Sequence, residues 1–199
     1  MPAFNIILTG EGGQGVVTAG TILSQTVMDS GYNVIMSELH GLSQRGGSIT
    51  VEVRIGEIYG PISFKSKYNL LLGFEPIEAM RILEQISYPM DAVVNSEKIS
   101  PIYLGIRDLE YPDVDAMLSN LPQCIRLRRI DASRIARDAG SVKATNIVML
   151  GTALEASVPG LTLEGLENAI RSRFSGKLLQ LNLDALHLAM GKMERELPG

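Results

Sequence analysis

The sequence predicts an α/β protein in which helices cover a mostly parallel sheet, and three observations support this prediction. Short apolar runs rich in β-forming residues alternate with segments that carry apolar residues at helical spacing. One run, Ser48 to Ile55, alternates strictly between apolar and polar residues, which is typical of a strand with one solvated face. The final third of the chain shows helical patterns only. We therefore expect three layers: a Rossmann-like sheet that includes an antiparallel hairpin, with a helical C-terminal cover.

The predicted elements follow the order expected for crossover connections. The predicted strands are Phe4 to Thr9, Tyr32 to Glu38, Ser48 to Ile55, Tyr68 to Phe74, Ala92 to Asn95 and Ile125 to Asp131. The predicted helices are Val16 to Ser30, Glu75 to Ser87, Ser133 to Ala139, Ala144 to Ala156, Leu163 to Phe174 and Leu179 to Leu197. Because a helix separates the first two strands, Thr9 and Glu38 are expected to end neighbouring strands of a βαβ unit. Gly56 and the pair Gly60-Pro61 punctuate the expected hairpin.

Length and composition predict one soluble globular domain spanning residues 1–199. The chain has 199 residues, of which 45% are apolar and 20% are charged. Its net charge of −4 makes nucleic acid and anionic membranes poor partners. The longest apolar stretches, such as Ile147 to Leu154, fall short of the roughly 20 residues needed to cross a bilayer. Since the N-terminus also lacks the pattern of a signal peptide, we expect a cytoplasmic protein.

Cysteine and histidine are too scarce to predict a metal site. Cys124 is the only cysteine, so one copy of the chain can form no intrachain disulfide and hold no cysteine-ligated iron–sulfur cluster. The two histidines, His40 and His187, stand in different predicted elements without a cluster of further ligand residues. We therefore predict no metal in this chain.

A glycine-rich turn, Gly10 to Gly15 with the sequence GEGGQG, follows the first predicted strand. Glycines there let the backbone approach a ligand closely, and the next helix offers free N–H groups to an anion. The turn fits the G-x-G-x-x-G pattern of dinucleotide sites, and an acidic residue ends the second strand. The candidate cofactor-binding residues are Gly12, Gly13, Gln14, Gly15 and Glu38. Alternatives stay open, since Glu11 would repel a pyrophosphate and the glycines could serve tight packing alone.

A second glycine-rich motif, His40 to Ser48 with the sequence HGLSQRGGS, follows the second predicted strand. It places hydroxyls, an amide, an imidazole and a guanidinium at a strand end, where loops commonly carry function. Arg45 could clamp a carboxylate or phosphate through two parallel hydrogen bonds. Alternatively, it pairs with Glu11 or Glu38 and only holds the two turns together. The candidate catalytic residues are Ser43, Gln44 and Arg45.

Both glycine motifs, together with three further segments, resemble one known family. The segments are Gly10 to Gly15, Val16 to Gly20, Glu38 to Ser48, Gly73 to Pro76 and Asn146 to Gly151. In this combination the sequence closely resembles the gamma-type subunit or domain of 2-oxoacid:ferredoxin oxidoreductases, in particular the small beta subunit of indolepyruvate:ferredoxin oxidoreductase. The resemblance extends from about Phe4 to about Phe174. It departs from the family pattern at Glu11, where small apolar residues are common, and at Leu42, where methionine is typical.

The resemblance implies an oxidative decarboxylation carried out by a complex. The assembled enzymes convert a 2-oxoacid and coenzyme A into an acyl-CoA and carbon dioxide, while two electrons pass through iron–sulfur clusters to ferredoxin. Thiamine diphosphate, Mg²⁺ and the clusters are expected on a large partner subunit, and none of them in this chain. The first turn and the segment Ser43 to Gly47 would face the partner's active site, where Arg45 would contact the substrate carboxylate or a coenzyme A phosphate.

Two other functions compete with this interpretation. A stand-alone dinucleotide-binding oxidoreductase is supported only by the G-x-G-x-x-G pattern and Glu38. A non-catalytic scaffold would use both glycine motifs solely to dock a partner. The identity of the 2-oxoacid stays open among aryl pyruvates, pyruvate, branched-chain acids and 2-oxoglutarate, and the HGLSQRGGS motif favours an indolepyruvate or general 2-oxoacid type.

Overall fold

The computed structural model describes residues 2–40, 47–58, 67–99 and 110–196, with side chains at these positions except 40 and 192–196. The strands in these ranges are β1 (Phe4–Glu11), β2 (Val34–His40), β3 (Ser48–Ile55), β4 (Leu70–Gly73), β5 (Met90–Asn95) and β6 (Ile125–Ile130). The helices are α1 (Val16–Asp29), α2 (Pro76–Leu83), α3 (Val114–Ser119), α4 (Ala132–Asp138), α5 (Thr145–Thr152), α6 (Leu163–Arg173) and α7 (Gly176–Glu196). Short 3-10 helices, Val142–Ala144 and Ala153–Ala156, flank α5.

The strands form one sheet in the order β2-β3-β1-β4-β5-β6. The pairs β1–β4, β4–β5 and β5–β6 are parallel, whereas β3 runs antiparallel to both of its neighbours, β1 and β2. This arrangement confirms the predicted mostly parallel sheet with an antiparallel hairpin. The hairpin consists of β2 and β3, because strands joined by a short connection pair directly. The predicted position was different, since Gly56, Gly60 and Pro61 follow β3 and do not connect it to β2. Gly60 and Pro61 lie outside the described residues.

The expectation that Thr9 and Glu38 end neighbouring strands is wrong. β3 lies between β1 and β2, so Thr9 pairs with Thr50, and it is Thr50 that pairs with Leu39 of β2. The crossover through α1 therefore skips one strand position, which β3 fills by hairpin pairing. Alternation along β3 predicted a half-buried strand, but it could not identify which strands would flank it.

Helices cover both faces of the sheet, as the three-layer prediction required. Alternate β1 residues point to opposite sides: Ile6 and Leu8 enter the larger core with α1 and α4 to α7, while Ile7 enters a second core with α2 and α3. All eight residues of α5 are buried, because it lies within the larger core. Among the described residues, none of the helices combines the length and apolar character needed to span a bilayer.

Side-chain caps explain where several helices begin. Asp131 accepts a hydrogen bond from the Arg134 N–H at the start of α4, and Thr162 accepts one from the Gly165 N–H at the start of α6. Aspartate and threonine are both residue types that favour this position. Asp113 caps α3 in the same way, within the stretch between Pro101 and Pro122 for which no helix was predicted. In contrast, α1 and α5 begin without a side-chain cap.

Candidate functional site at the carboxyl edge of the sheet

The carboxyl ends of β1, β4, β5 and β6 lie along one edge of the sheet because these strands are parallel. The first glycine turn follows β1 at this edge, and Phe74, Asn95 and Asp131 stand at or just beyond the ends of the next three strands. Open parallel sheets bind ligands outside this edge. The edge is therefore the candidate functional site.

The first glycine turn is held to β4 by Gln14. The Glu11 N–H donates to Gln14 Oε1 over 2.7 Å, and Gln14 Nε2 donates to the Phe74 carbonyl over 3.1 Å. A Cβ added at Gly10 would lie 2.5 Å from Gln14 Oε1 and 2.8 Å from the Phe74 Cβ. Gly10 is therefore needed for close packing, and Gln14 has a structural role beyond its predicted contact with a cofactor.

Asn95 extends this connection to β5 and α4. Its Nδ2 donates to the Phe74 carbonyl at 3.2 Å and to Ser133 Oγ at 3.1 Å, while its Oδ1 accepts from the Ala132 N–H at 3.0 Å. The Asn95 side chain is fully buried. Because Gln14 and Asn95 share the Phe74 carbonyl, the turn, β4, β5 and α4 form one hydrogen-bonded unit.

The two glycine motifs meet at this edge. The Gly12 N–H donates to the Gly47 carbonyl over 3.0 Å, which joins the first turn to the residue that precedes β3. Gly15 has φ +77°, and a Cβ there would lie 2.8 Å from Asn146 Nδ2 at the start of α5. Gly13 has φ +100° and open space around its missing Cβ. The positive φ favours glycine at both positions. A side chain at position 15 would also collide with Asn146, whereas the open space around Gly13 leaves its backbone accessible to a partner.

A cleft of about 500 Å³ opens beside the first turn on the α1 side of the sheet. Gly13, Gln14 and Gly15 line it together with Lys143 and Asn146. The acidic Glu97, which pairs with Arg137, also lines it. The apolar part of the lining consists of Ile99, Val142, Phe174, Leu178 and Leu181. Since α1 starts at this cleft without a side-chain cap, its first N–H groups and Lys143 give the cleft an anion-attracting end.

Three buried carboxyl groups lie on the other side of the turn, toward α2. Glu75, Glu78 and Glu11 are exposed by 0%, 2% and 5% respectively. Glu75 caps α2 by accepting from the Glu78 N–H at 3.1 Å, and its other oxygen accepts from the Tyr111 hydroxyl. Glu78 approaches Arg81 at 3.4 Å.

The carboxyl groups at this edge have altered proton affinities. Burial, followed by the charges of Glu78 and Glu75, raises the pKa of Glu11 to about 7, and Arg81 opposes this shift. Burial also raises the pKa of Glu75, although the hydrogen bond from Tyr111 and those from backbone N–H groups counteract it. Glu11 therefore changes charge near neutral pH, directly beneath the glycine turn.

The family is decided by comparison along nearly the whole chain. The sequence pattern of the pyruvate ferredoxin/flavodoxin oxidoreductase family matches residues 5–191. The chain belongs to this family. The match continues through most of α7, beyond the end at Phe174 that the motifs predicted. A relative of similar length is the indolepyruvate oxidoreductase subunit IorB of Methanothermobacter thermautotrophicus, which is 37% identical over 94% of this chain and 96% of its own length.

Solved structures share the fold of this oxidoreductase family member. The gamma subunit of a keto/oxoacid ferredoxin oxidoreductase from Geobacter sulfurreducens is 23% identical, with a TM-score of 0.71 over 96% of this chain and 99% of its own. The 2-oxoglutarate:ferredoxin oxidoreductase of Magnetococcus marinus is 17% identical, with a TM-score of 0.79 over all of this chain and 32% of its own. The family and these likenesses support a subunit of a 2-oxoacid:ferredoxin oxidoreductase complex with oxidoreductase activity in that complex.

The structure brings together some of the predicted site residues of this family member. Gly13, Gln14 and Gly15 line the cleft, and Gly12 contacts Gly47. Glu38 is exposed on β2, which β3 separates from β1, and its contact with a cofactor stays a prediction. The candidate catalytic residues Ser43, Gln44 and Arg45 lie outside the described residues.

Sequence patterns did not identify two features of the site. Lys143 belongs to no recognisable sequence motif. Only the tertiary structure brings it close to the first glycine turn. The interactions of Asn95 were equally hidden, since its three partners are between 21 and 38 positions away along the chain. Glu11 did carry a signal, as an acidic residue where small apolar ones are common. Among the described residues, no group of three or more His, Cys, Asp or Glu side chains could hold a metal ion.

Proposed function

We propose that this chain is the small, gamma-type subunit of a complex that converts a 2-oxoacid and coenzyme A into an acyl-CoA and carbon dioxide and passes two electrons to ferredoxin. The observation that carries this proposal is the similarity over nearly the whole length to an indolepyruvate oxidoreductase subunit. That relative favours an aryl pyruvate as the 2-oxoacid. The chain is proposed to act in the cytoplasm and to be inactive by itself.

The carboxyl edge of the sheet is proposed to face the active site of a large thiamine-bearing partner. The Gly12–Gly47 hydrogen bond supports this role, because it joins the first glycine turn to the end of the second motif. In the sequence, Ser43 to Arg45 stand two to four positions before Gly47. Arg45 is proposed to bind an anionic group there, either the substrate carboxylate or a coenzyme A phosphate.

The cleft beside the first turn is proposed to form part of the coenzyme A path. Coenzyme A combines phosphate groups with a long, mostly uncharged arm, and the cleft combines an anion-attracting end at Lys143 with an apolar wall. The Magnetococcus enzyme that shares this fold was solved with coenzyme A and 2-oxoglutarate bound. The turn residues Gly12 to Gly15 would then contact the partner or its ligand through their backbone.

Thiamine diphosphate, Mg²⁺ and the iron–sulfur clusters are proposed to reside on the partner. A cysteine-ligated cluster needs several thiolates, and this chain has Cys124 alone. Electrons would therefore reach ferredoxin through the large subunit, and this chain would contribute binding surface rather than redox centres.

Turnover of the assembled complex tests the proposed function. The chain would be purified with the thiamine-bearing partner, and 2-oxoacid-dependent reduction of ferredoxin would be followed with and without coenzyme A. Arg45→Ala should raise the KM for either the 2-oxoacid or coenzyme A at least tenfold. The matched control is Arg126→Ala, since Arg126 is exposed at the opposite edge of the sheet and pairs only with Asp91 among the described residues.

Two results would contradict the proposal. If the complex turns over equally well without this chain, the chain is not a working subunit. If the isolated chain binds NAD at micromolar concentration in a calorimetric titration, a stand-alone dinucleotide-binding oxidoreductase becomes the better interpretation. An unchanged KM for both substrates in Arg45→Ala would remove only the role of Arg45.

A further inference from the structure

Asn95 lies behind the wall of the cleft and connects two parts of that wall. The residue is fully buried, so it has no surface in the cleft itself. Its Nδ2 donates over 3.1 Å to the Oγ of Ser133 on α4, and Ser133 lines the cleft. Gln14, which shares the Phe74 carbonyl with Asn95, lines the cleft as well. A change at Asn95 can therefore reach the cleft although Asn95 contacts no ligand there.

The hydrogen bonds of Asn95 allow only one orientation of its amide. The two N–H groups of Nδ2 have separate acceptors, the Phe74 carbonyl at 3.2 Å and Ser133 Oγ at 3.1 Å. The Oδ1 atom accepts from the Ala132 N–H at 3.0 Å. Rotating the amide by half a turn would set Oδ1 against the Phe74 carbonyl oxygen and Nδ2 against the Ala132 N–H. The Phe74 carbonyl therefore always faces a donor from β5.

The orientation of the Gln14 amide is fixed in the same way. Its Oε1 accepts from the Glu11 N–H at 2.7 Å, while its Nε2 donates to the Phe74 carbonyl at 3.1 Å. A second N–H of Nε2 has no acceptor among the residues that the structure describes. Because Gln14, Gly13 and Gly15 all line the cleft, this N–H and the backbone of the two glycines are the parts of the turn that a ligand can contact.

The Phe74 carbonyl is the point at which these two amides meet. A carbonyl oxygen has two lone pairs, and Asn95 and Gln14 each donate to this one. The bond from Asn95 is buried, whereas the bond from Gln14 is only partly buried. Since a hydrogen bond away from water is the stronger of the two, Asn95 holds the carbonyl in the direction that Gln14 requires.

We propose that Asn95 is a positioning residue for coenzyme A and acts through the Phe74 carbonyl on Gln14 and the first glycine turn. The inference rests on the proposed function, because it takes the cleft to be part of the coenzyme A path. Asn95 keeps the second Gln14 N–H in place before coenzyme A binds, so that this N–H donates to an oxygen of coenzyme A. Less conformational freedom is then lost on binding, which raises the affinity.

The test compares Asn95→Asp with wild type in the complete complex of this chain and its thiamine-bearing partner. The variant keeps the shape of the side chain and the acceptor for the Ala132 N–H, but its ionised carboxylate donates nothing to the Phe74 carbonyl. Calorimetric titration with coenzyme A, without a 2-oxoacid, should give a Kd about tenfold above that of wild type. The kcat at saturating coenzyme A should change by less than about twofold, because the lost interaction serves binding. A purely structural role would instead lower the number of coenzyme A sites per complex and leave the Kd of the remaining sites unchanged.

A second variant, Gln14→Glu, breaks the same connection from the side of the turn. It keeps an acceptor for the Glu11 N–H, stands on a partly exposed residue and should also raise the Kd about tenfold. In the double variant the Kd should rise no further than in the weaker-binding single variant, because both changes act through one carbonyl. The matched control is Asn5→Asp. Asn5 is also buried and donates to the Lys67 carbonyl at 3.0 Å, but it lies at the opposite end of β1, so this change should leave the Kd as in wild type.

Separate outcomes would overturn the two proposals. If Asn95→Asp assembles and its Kd matches that of Asn5→Asp, Asn95 does not position the coenzyme A site, although the subunit assignment stands. If Asn95→Asp does not assemble, Gln14→Glu decides: a raised Kd supports the connection through Phe74, and a wild-type Kd overturns it. A double variant whose Kd shows the product of the two single increases would overturn it too. If the wild-type complex binds no coenzyme A, or turns over equally well without this chain, the proposed function itself is wrong.

Discussion

The ends of β1 and β4 carry the same chemical group at the same edge of the sheet, but among the described residues only one of the two groups finds hydrogen-bond donors. Glu75, just after β4, accepts hydrogen bonds from the Glu78 N–H and the Tyr111 hydroxyl. Glu11, at the end of β1, has no comparable donor among the described residues. Hydrogen bonds to Glu75 favour its charged form, whereas none of the described residues gives the Glu11 carboxyl comparable support.

Local sequence explains why the two glutamates differ. Glu75 precedes Pro76, which begins α2, so its carboxyl lies where the first free N–H groups of that helix point. Glu11 enters a glycine turn, and its own N–H is occupied by Gln14. The turn thus offers the Glu11 carboxyl no helix N-terminus of its own.

Glu75→Ala should have the largest effect on stability. It removes a fully buried acceptor and leaves two donors, the Glu78 N–H and the Tyr111 hydroxyl, without a partner, which should lower the free energy of unfolding by about 3 kcal/mol. Urea unfolding followed by circular dichroism at pH 7 measures this loss. A loss below about 1 kcal/mol would contradict the structural role assigned to Glu75.

Glu11→Gln should act in the opposite direction. Because the carboxyl has a pKa of about 7 when folded and 4.5 as the ordinary value, the folded chain binds its proton more tightly, and stability falls as the pH rises from 4.5 to 7. The neutral amide avoids this loss. The full shift would be worth about 3 kcal/mol, and screening by solvent reduces it, so the variant should be more stable than wild type by about 2 kcal/mol at pH 8. At pH 4.5 the two chains should differ little.

The pH dependence of this difference is the decisive measurement. Unfolding curves at pH 4.5, 6 and 8 should show the stability gap between Glu11→Gln and wild type growing with pH. A variant that is less stable than wild type at pH 8 would mean that Glu11 has a stabilising partner, and the contrast with Glu75 would disappear.

Tyr111→Phe should sharpen the contrast with a smaller effect. The ring remains, but Glu75 loses one of its two donors, which should cost about 1.5 kcal/mol at pH 7. Thermal unfolding of this variant beside Glu75→Ala separates the hydroxyl contribution from that of the α2 cap. If Tyr111→Phe costs as much as Glu75→Ala, the main stabilising contact of Glu75 is the hydrogen bond from Tyr111, and the α2 cap contributes little.

Thr162→Ala should have the smallest effect and serves as a reference away from the sheet edge. It removes the cap that accepts from the Gly165 N–H at 3.0 Å and should lower the free energy of unfolding by about 1 kcal/mol. No titrating group takes part, so the loss should be the same at pH 6 and pH 8. A pH-dependent loss would show that caps alone can produce the behaviour assigned to Glu11.

Much of the fold was predictable because its signals are local. The apolar runs predicted all six described strands, because strand periodicity is carried by neighbouring residues. The motifs also predicted the family, whose match covers residues 5–191. Boundaries shifted by a few residues where the pattern ended gradually: β5 begins at Met90 instead of Ala92, and α7 at Gly176 instead of Leu179.

The candidate site was predictable only in part. The glycine turns were identified as one edge, and the Gly12–Gly47 hydrogen bond places them together. The insertion of β3 was not foreseen, because the pairing partners of a strand are set by contacts distant in sequence. Ser43, Gln44 and Arg45 stay predictions, since they lie outside the described residues.

Local patterns and motifs thus decided which segments are strands and helices, and that a glycine-rich motif follows each of the first two strands. They also decided which family the chain resembles. These properties were predictable because periodicity and short-range backbone chemistry depend on residues close together in the sequence. Only the tertiary structure decided that β3 separates Glu38 from the first turn and that Asn95 and Gln14 share the Phe74 carbonyl. It also decided that Glu75 accepts hydrogen bonds, while none of the residues the structure describes donates one to the Glu11 carboxyl. These features depend on burial and on donors far away along the chain, and both arise only when the sheet and its helices pack together.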